Sequence, residues 1–126
     1  MRRTVTAIAI LVISALIGIF SYIYVKDACT KALNGIEEIV NAALTDDVEA
    51  VNHLCVQANT DWAEKVFLLN ILIGREYTQG VSKRLSQMEC FSGLADCDSV
   101  ITNAQECKAE LLHIIRSNEP ELSTIL

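Results

Sequence analysis

Five cysteines give this sequence its most reactive side chains: Cys29, Cys55, Cys90, Cys97 and Cys107. An odd number excludes complete pairing within one chain. No two of them have the Cys-x-x-Cys spacing of redox-active thiols or of zinc ribbons. Cys90 and Cys97 flank a predicted turn, so one interpretation is a disulfide between them. The other is that the cysteines are small core residues, since several lie on or beside apolar helical faces.

Two histidines, His53 and His113, are the next candidates for metal binding or proton transfer. Glu110 and His113 have the Glu-x-x-His spacing of di-iron helical bundles, but such sites need a second copy and two further glutamates. The sequence has no second copy, and it has no glycine-rich phosphate loop. It therefore predicts no catalytic residue, no metal ligand and no cofactor, and it favours a protein that is not an enzyme.

The single tryptophan, Trp62, lies midway along an apolar helical face. Such a tryptophan is typical of a core anchor in a helical bundle. It is also typical of the centre of a protein–protein interface, where tryptophan is enriched. Both interpretations stay open at this point. The apolar C-terminal residues Ile125 and Leu126 are a second candidate for contact with a partner.

Charge is distributed unevenly along the chain, which has a net charge of −6. Residues 26–126 hold eight Lys and Arg against all sixteen Asp and Glu. Such an acidic domain repels phosphate backbones, so we expect no nucleic-acid partner. One proline and five glycines in 126 residues are too few for a disordered or linker-rich protein.

Residues 4–25 form an uncharged, mostly apolar stretch of twenty-two, TVTAIAILVISALIGIFSYIYV. As a helix it would be about 33 Å long, which matches a bilayer core about 30 Å thick. Tyr22 and Tyr24 lie where an interfacial aromatic belt is expected. We therefore predict a transmembrane anchor within residues 1–25, crossing the lipid bilayer through residues 4–25, and a domain at residues 26–126.

A cleaved signal peptide and a lipid-modified Cys29 are the two alternatives to an anchor. The apolar stretch is longer than the core of a signal peptide, about 7–15 residues. Cleavage after Ala28 would put Lys26 at a position that requires a small residue. The charged pair formed by Lys26 and Asp27 just ahead of Cys29 is unlike a lipoprotein signal. An uncleaved anchor is therefore the preferred interpretation.

The orientation of the anchor follows from the positive charges beside it. Arg2, Arg3 and the α-amine precede the apolar stretch, and Lys26 and Lys31 follow it. The positive-inside rule gives little weight to acidic residues. The small excess on the N-terminal side predicts a plasma-membrane protein with its N-terminus in the cytoplasm and its domain outside.

Apolar residues recur every three or four positions through the rest of the chain, which predicts helices. The first apolar face continues the anchor without a break and ends near Leu44. Asp46 and Glu49 have the spacing of a capping box, so a second helix is predicted to begin there. The next face stays in phase over residues 47–73, which favours one continuous helix over a restart near residue 60.

A second helix that continued to residue 91 would be too long to pack against the first, so we predict a break at Gly74. A turn is predicted at residues 92–96, with Asp96 or Asp98 as the cap of a last helix that ends before Pro120. No segment shows the alternation of a β-strand. The predicted fold class is all-α: an N-terminal transmembrane helix followed by an antiparallel helical bundle of three to four helices.

Trp62, Leu69, the run LLHII at residues 111–115 and the tail EPELSTIL at residues 119–126 give the chain a familiar layout. It resembles a family of small bacterial single-span proteins of unknown function, mostly from Gram-positive anaerobes and spore-formers. Those proteins have an N-terminal span, a helical domain with one tryptophan, a leucine-rich helix and a short tail. The resemblance implies the same architecture and adds no catalytic residue.

These features together predict a membrane-anchored interaction or scaffold protein of the cell envelope. Its partner would be another membrane or envelope protein, and association between copies of the chain is compatible with the same features. The alternative function is a thiol-based or small-ligand sensing module, which would use Cys90, Cys97 or a cavity near Trp62.

Overall fold

A computed structural model of the protein describes residues 1–118. This part of the chain contains four α-helices and no β-strand, namely α1 (Arg2–Leu44), α2 (Val48–Ile73), α3 (Arg75–Gly93) and α4 (Cys97–Asn118). The predicted all-α fold class is confirmed. The bundle has four helices because the C-terminal part of α1 is one of them.

The first helix, α1, is 43 residues long and has two different parts. Every residue up to Phe20 is exposed, and burial begins at Ser21, one turn before the predicted end of the anchor. By length and composition, α1 is able to cross a membrane. Its later apolar positions face the bundle, and the buried ones are Val25, Ala28, Cys29, Ile36, Ile39 and Ala43. The two parts are joined without any interruption of the helix, as the sequence predicted.

The four helices pack in ring order, with α1 and α3 each lying between α2 and α4. The connections between the helices contain only one to three residues, so consecutive helices run antiparallel. The centre of the ring is a continuous apolar core, whose largest completely buried side chains are Ile36, Ile39, Leu69, Leu85, Met88 and Leu111. Burial of each such side chain contributes about 1.5–3 kcal/mol, so this core is the main stabilising feature of the fold.

Aspartate begins both α2 and α4. The Asp47 carboxylate accepts a hydrogen bond from the amide of Ala50 at 3.3 Å, and the Asp96 carboxylate accepts one from the amide of Ser99 at 3.2 Å. These bonds satisfy amides that have no partner inside their own helix. Of the two predicted caps for the last helix, Asp96 is therefore the one used.

The prediction that Asp46 caps α2 is wrong by one residue. Asp46 has a positive φ of 56°, a left-handed conformation that turns the chain out of α1 and leaves the capping position to Asp47. Ala95 occupies the matching place in the corner before α4, with a φ of 58°. Aspartate tolerates this conformation better than alanine does, because its short polar side chain bonds locally.

The corners of the helical hairpins α1–α2 and α3–α4 have equivalent backbone conformations. The buried positions of the two hairpins recur at a constant offset along the chain. The matched buried pairs are Cys29 and Thr78, Ile36 and Leu85, Ile39 and Met88, Ala43 and Ser92, Val51 and Val100, Cys55 and Ala104, and Trp62 and Leu111. Because the corners have the same conformation, the apolar faces of the two hairpins have the same phase relative to their corners.

Gly74 alone connects α2 to α3, which confirms the predicted break. Its φ of 95° and ψ of 152° lie in a region that is essentially restricted to glycine. Its amide donates to the carbonyl of Asn70 at 3.1 Å and ends α2. The buried Thr78 hydroxyl donates to the side-chain oxygen of Asn70, which ties the start of α3 to the end of α2.

Replacing Gly74 with alanine is expected to lower the free energy of unfolding by about 1–3 kcal/mol, because alanine is strained in this conformation. Thermal unfolding of the full chain in detergent micelles, followed by circular dichroism, measures the change. Gly35→Ala is the matched control. A Cβ at Gly35 meets no atom, so that variant should gain up to about 1 kcal/mol from helix propensity. Equal stability of G74A and the wild type would contradict the strain.

Candidate functional site

Trp62 lies in the core of the bundle, with 4% of its surface exposed. Its indole Nε1 donates a hydrogen bond to the Ser82 hydroxyl of α3 at 2.9 Å. That bond satisfies the one polar atom of the ring, which would otherwise be costly to bury. Trp62 therefore joins α2 to α3 as a core residue, and only part of the ring borders the surface.

A groove of about 280 Å³ runs between α1 and α2 beside Trp62. Small side chains of α1 form one wall, at Ala28, Ala32 and Gly35. The rim carries charges of both signs, from Lys31, Glu38, Asp61 and Lys65. This lining suits a small amphipathic molecule. It contains no cysteine, histidine or serine.

A polar cluster joins α3 to α4 around Arg84. Its guanidinium forms an ion pair with Glu106 and a second with Glu110 at 3.8 Å. The exposed His113 instead packs on Tyr77, with the ring centroids 6.0 Å apart. Glu110 and His113 thus have different partners. Within residues 1–118, no three His, Cys, Asp or Glu side chains come together where they could hold a metal ion.

Three of the five cysteines are buried: Cys29, Cys55 and Cys107. Burial raises the pKa of the Cys29 and Cys55 thiols to about 11 and that of the Cys107 thiol to about 12. The thiolate is the reactive form of cysteine, and these groups stay protonated at neutral pH. They serve as small core residues.

Cys90 is exposed in the last turn of α3, and Cys97 is partly buried as the first residue of α4. They lie on opposite sides of the corner, as the sequence predicted. Both are free thiols in the structure, so the disulfide between them is not formed here and stays a prediction.

The end of the bundle farthest from the apolar part of α1 is strongly acidic. The chain has no lysine or arginine between Lys31 and Lys65, and none between Arg84 and Lys108. These two stretches contain both corners of that end, and they hold eleven Asp and Glu residues. All eight basic residues of the domain therefore lie outside these stretches.

Two exposed leucines interrupt this acidic end, one at each corner. Leu44 is 67% exposed at the end of α1, and Leu94 is 71% exposed directly after α3. Aspartates follow each of them within three residues. We call this region the distal surface and define it by Leu44, Asp46, Asp47, Leu94 and Asp96.

The distal surface was not among the sites predicted from the sequence, although the chain contains two signals for it. One signal is the long interval without lysine or arginine on either side of each corner. The other is that Leu44 falls one position beyond Ala43, the last member of the apolar face of α1. Ile125 and Leu126, the other candidates for partner contact, lie outside the described residues.

No family model, curated protein or solved structure matches the chain. The resemblance to small bacterial single-span proteins therefore stays a prediction. The function has to be inferred from the geometry of the protein itself.

Replacing Ser82 with alanine is expected to destabilise the bundle by about 1–2 kcal/mol, because the indole N–H of the buried Trp62 loses its acceptor. Chemical unfolding of the full chain in micelles, followed by tryptophan emission, measures the loss. Ser86→Ala on the same helix is the control, since Ser86 is exposed and should change stability by less than about 0.5 kcal/mol. If both variants lost the same stability, the bond to Trp62 would not be a significant contribution.

Proposed function

We propose that the protein is a single-pass membrane protein whose helical domain lies outside the cytoplasm and binds another membrane or envelope protein, without chemistry of its own. The distal surface carries this proposal. It places two exposed leucines among aspartates, at the end of the domain farthest from the anchor. Isolated exposed leucines are common, and here one lies at each corner of the same end of the bundle.

The anchor is supported by the exposure of α1. Residues 1–20 are all exposed, and most of the large side chains among them are isoleucine, leucine, valine and phenylalanine. A monomeric protein in water rarely exposes so long a continuous apolar surface, because its hydration is unfavourable. A bilayer removes that cost over the length that the helix needs to cross it.

The chemistry of the distal surface defines the partner. The leucines would pack against apolar side chains at the centre of the partner's surface. The surrounding aspartates would pair with cationic side chains at its rim. Burial of two leucines supplies about 3–6 kcal/mol. That is weak binding for two molecules free in solution. Confinement in one membrane raises the effective concentration and makes such a contact sufficient.

Binding of a small ligand is a second candidate function, and the groove beside Trp62 favours it. The thiol-based form of sensing would use Cys90 and Cys97, because the other three thiols are buried and protonated. The groove lies on the side of the bundle between α1 and α2, away from the distal corners. Substitutions in one region therefore leave the other unchanged, which makes the two functions separable by experiment.

Cys90 is expected to report the orientation of the domain. A membrane-impermeant maleimide should label Cys90 in intact cells and leave Cys29, Cys55 and Cys107 unlabelled until the protein is denatured. If labelling requires prior reduction, a disulfide to Cys97 is established as well, with Cys97→Ala as its check. Labelling that needs lysis, even after reduction, would place the domain in the cytoplasm.

A photo-crosslinking amino acid at Leu94 is expected to form an adduct with a protein of the same membrane. The same probe at Val56 should form none, since Val56 is 42% exposed on α2 but lies outside the distal surface. Leu44→Ser should lower the adduct yield at Leu94 about tenfold or more, through loss of about 1.5–3 kcal/mol of apolar burial. Equal yields at Leu94 and Val56 would remove the support for a distal partner.

A further inference from the structure

The end of α2 next to Gly74 carries an exposed apolar face that neither the anchor nor the distal surface explains. We propose that this end, together with the corner that follows it, contacts the same bilayer that α1 spans and lies at the boundary between headgroups and acyl chains. The inference rests on the proposed anchor. Its occupant is the lipid surface itself.

The groove between α1 and α2 shows which residues of the two helices are level. The helices run antiparallel from the corner at residues 45–47. One end of the groove is lined by Glu38 and Leu54, and the other by Ala28 and Lys65. Over this distance the pairing stays constant, because both helices rise about 1.5 Å per residue.

Continued past the groove, the same pairing places the end of α2 beside the apolar stretch of α1. Phe67 is level with Val25, and Ile71 is level with Ser21. The structure agrees, since burial of α1 begins at Ser21. Residues 4–25 are the stretch that fits a bilayer, so the last two turns of α2 lie at the depth of its outer edge.

The amino-acid composition of this part of α2 is compatible with contact with lipid. Residues 66–74 read VFLLNILIG and contain no charge. Asn70 is the one residue among them with a polar side chain, and it accepts a hydrogen bond from Thr78. Phe67 and Ile71, one turn apart on the same face, are 75% and 66% exposed. A helix end without charge and with apolar residues outward has the pattern of a membrane-contacting segment.

The outward faces of α1 and α2 change character at the same level. On α2 the exposed residues include Asp61 and Glu64 before Lys65, and Phe67 and Ile71 after it. On α1 the exposed residues change from Ile23 to the charged pair at residues 26–27. Two helices of independent sequence would have no reason to change together in water. One plane that separates lipid from water accounts for both changes.

The charges at this level show what kind of lipid contact to expect. Lys26 and Lys65 lie there, and Arg75 follows Gly74 directly at the corner. All three are able to extend toward headgroups while their stems cover apolar surface. Asp27 and Glu64 accompany the two lysines, Glu76 accompanies Arg75, and Arg116 near the end of α4 is a further cation. Because the signs nearly cancel, the contact is apolar and does not depend on anionic lipid.

The test uses the full chain in phosphatidylcholine vesicles whose acyl chains carry bromine close to the headgroups, with unbrominated vesicles as reference. Phe67→Trp is the probe and Ile71→Trp, one turn deeper, is its second version. Val56→Trp is the matched control on the same helix, about 16 Å farther from the membrane. Phe20→Trp reports the anchor. Trp62 is common to every variant, so the wild-type emission is subtracted.

We expect the added emission of F67W and I71W to be blue-shifted and largely lost to bromine, as for F20W, and that of V56W to be unaffected. Quenching of F20W without quenching of F67W or I71W would overturn the inference and leave the anchor in place. Unquenched F67W that also crosslinks between copies would assign the face to a second copy, which overturns it too. Unquenched F20W would refute the anchor, and with it both proposals.

Discussion

The continuity of α1 is the constraint on which the rest of the structure depends. One helix runs from its exposed apolar half into the bundle, with no residue between the two halves that could act as a hinge. The position of the bundle along α1 is therefore fixed by the first helix alone. The corners contain only one to three residues, so the levels of α2, α3 and α4 follow from that of α1.

Much of this architecture could be predicted because it depends on local signals. The excessive length of an unbroken second helix, together with the glycine at position 74, predicted the break at Gly74, and the spacing of apolar residues predicted the helices. The exact cap of α2 could not be predicted, because Asp46 and Asp47 are the same residue type. Their difference lies in the left-handed conformation of Asp46, which follows from the way α1 ends and not from side-chain chemistry.

The candidate site was harder to predict because it depends on which residues meet in space. The sequence is compatible with Trp62 either as a core residue or as an interface residue. Its hydrogen bond to Ser82 joins two different helices, so helical periodicity does not predict it. The distal surface likewise unites two corners that are far apart in the chain. Periodicity shows which face of a helix is apolar, but it does not show which exposed leucines share one end of a bundle.

The length of α1 beyond the proposed anchor has a geometric consequence. Leu44 lies about 28 Å beyond Val25 along the helix axis. In the proposed topology α1 therefore holds the first corner of the distal surface at about that height above the membrane. A partner that projects much less than this height from the bilayer cannot reach Leu44.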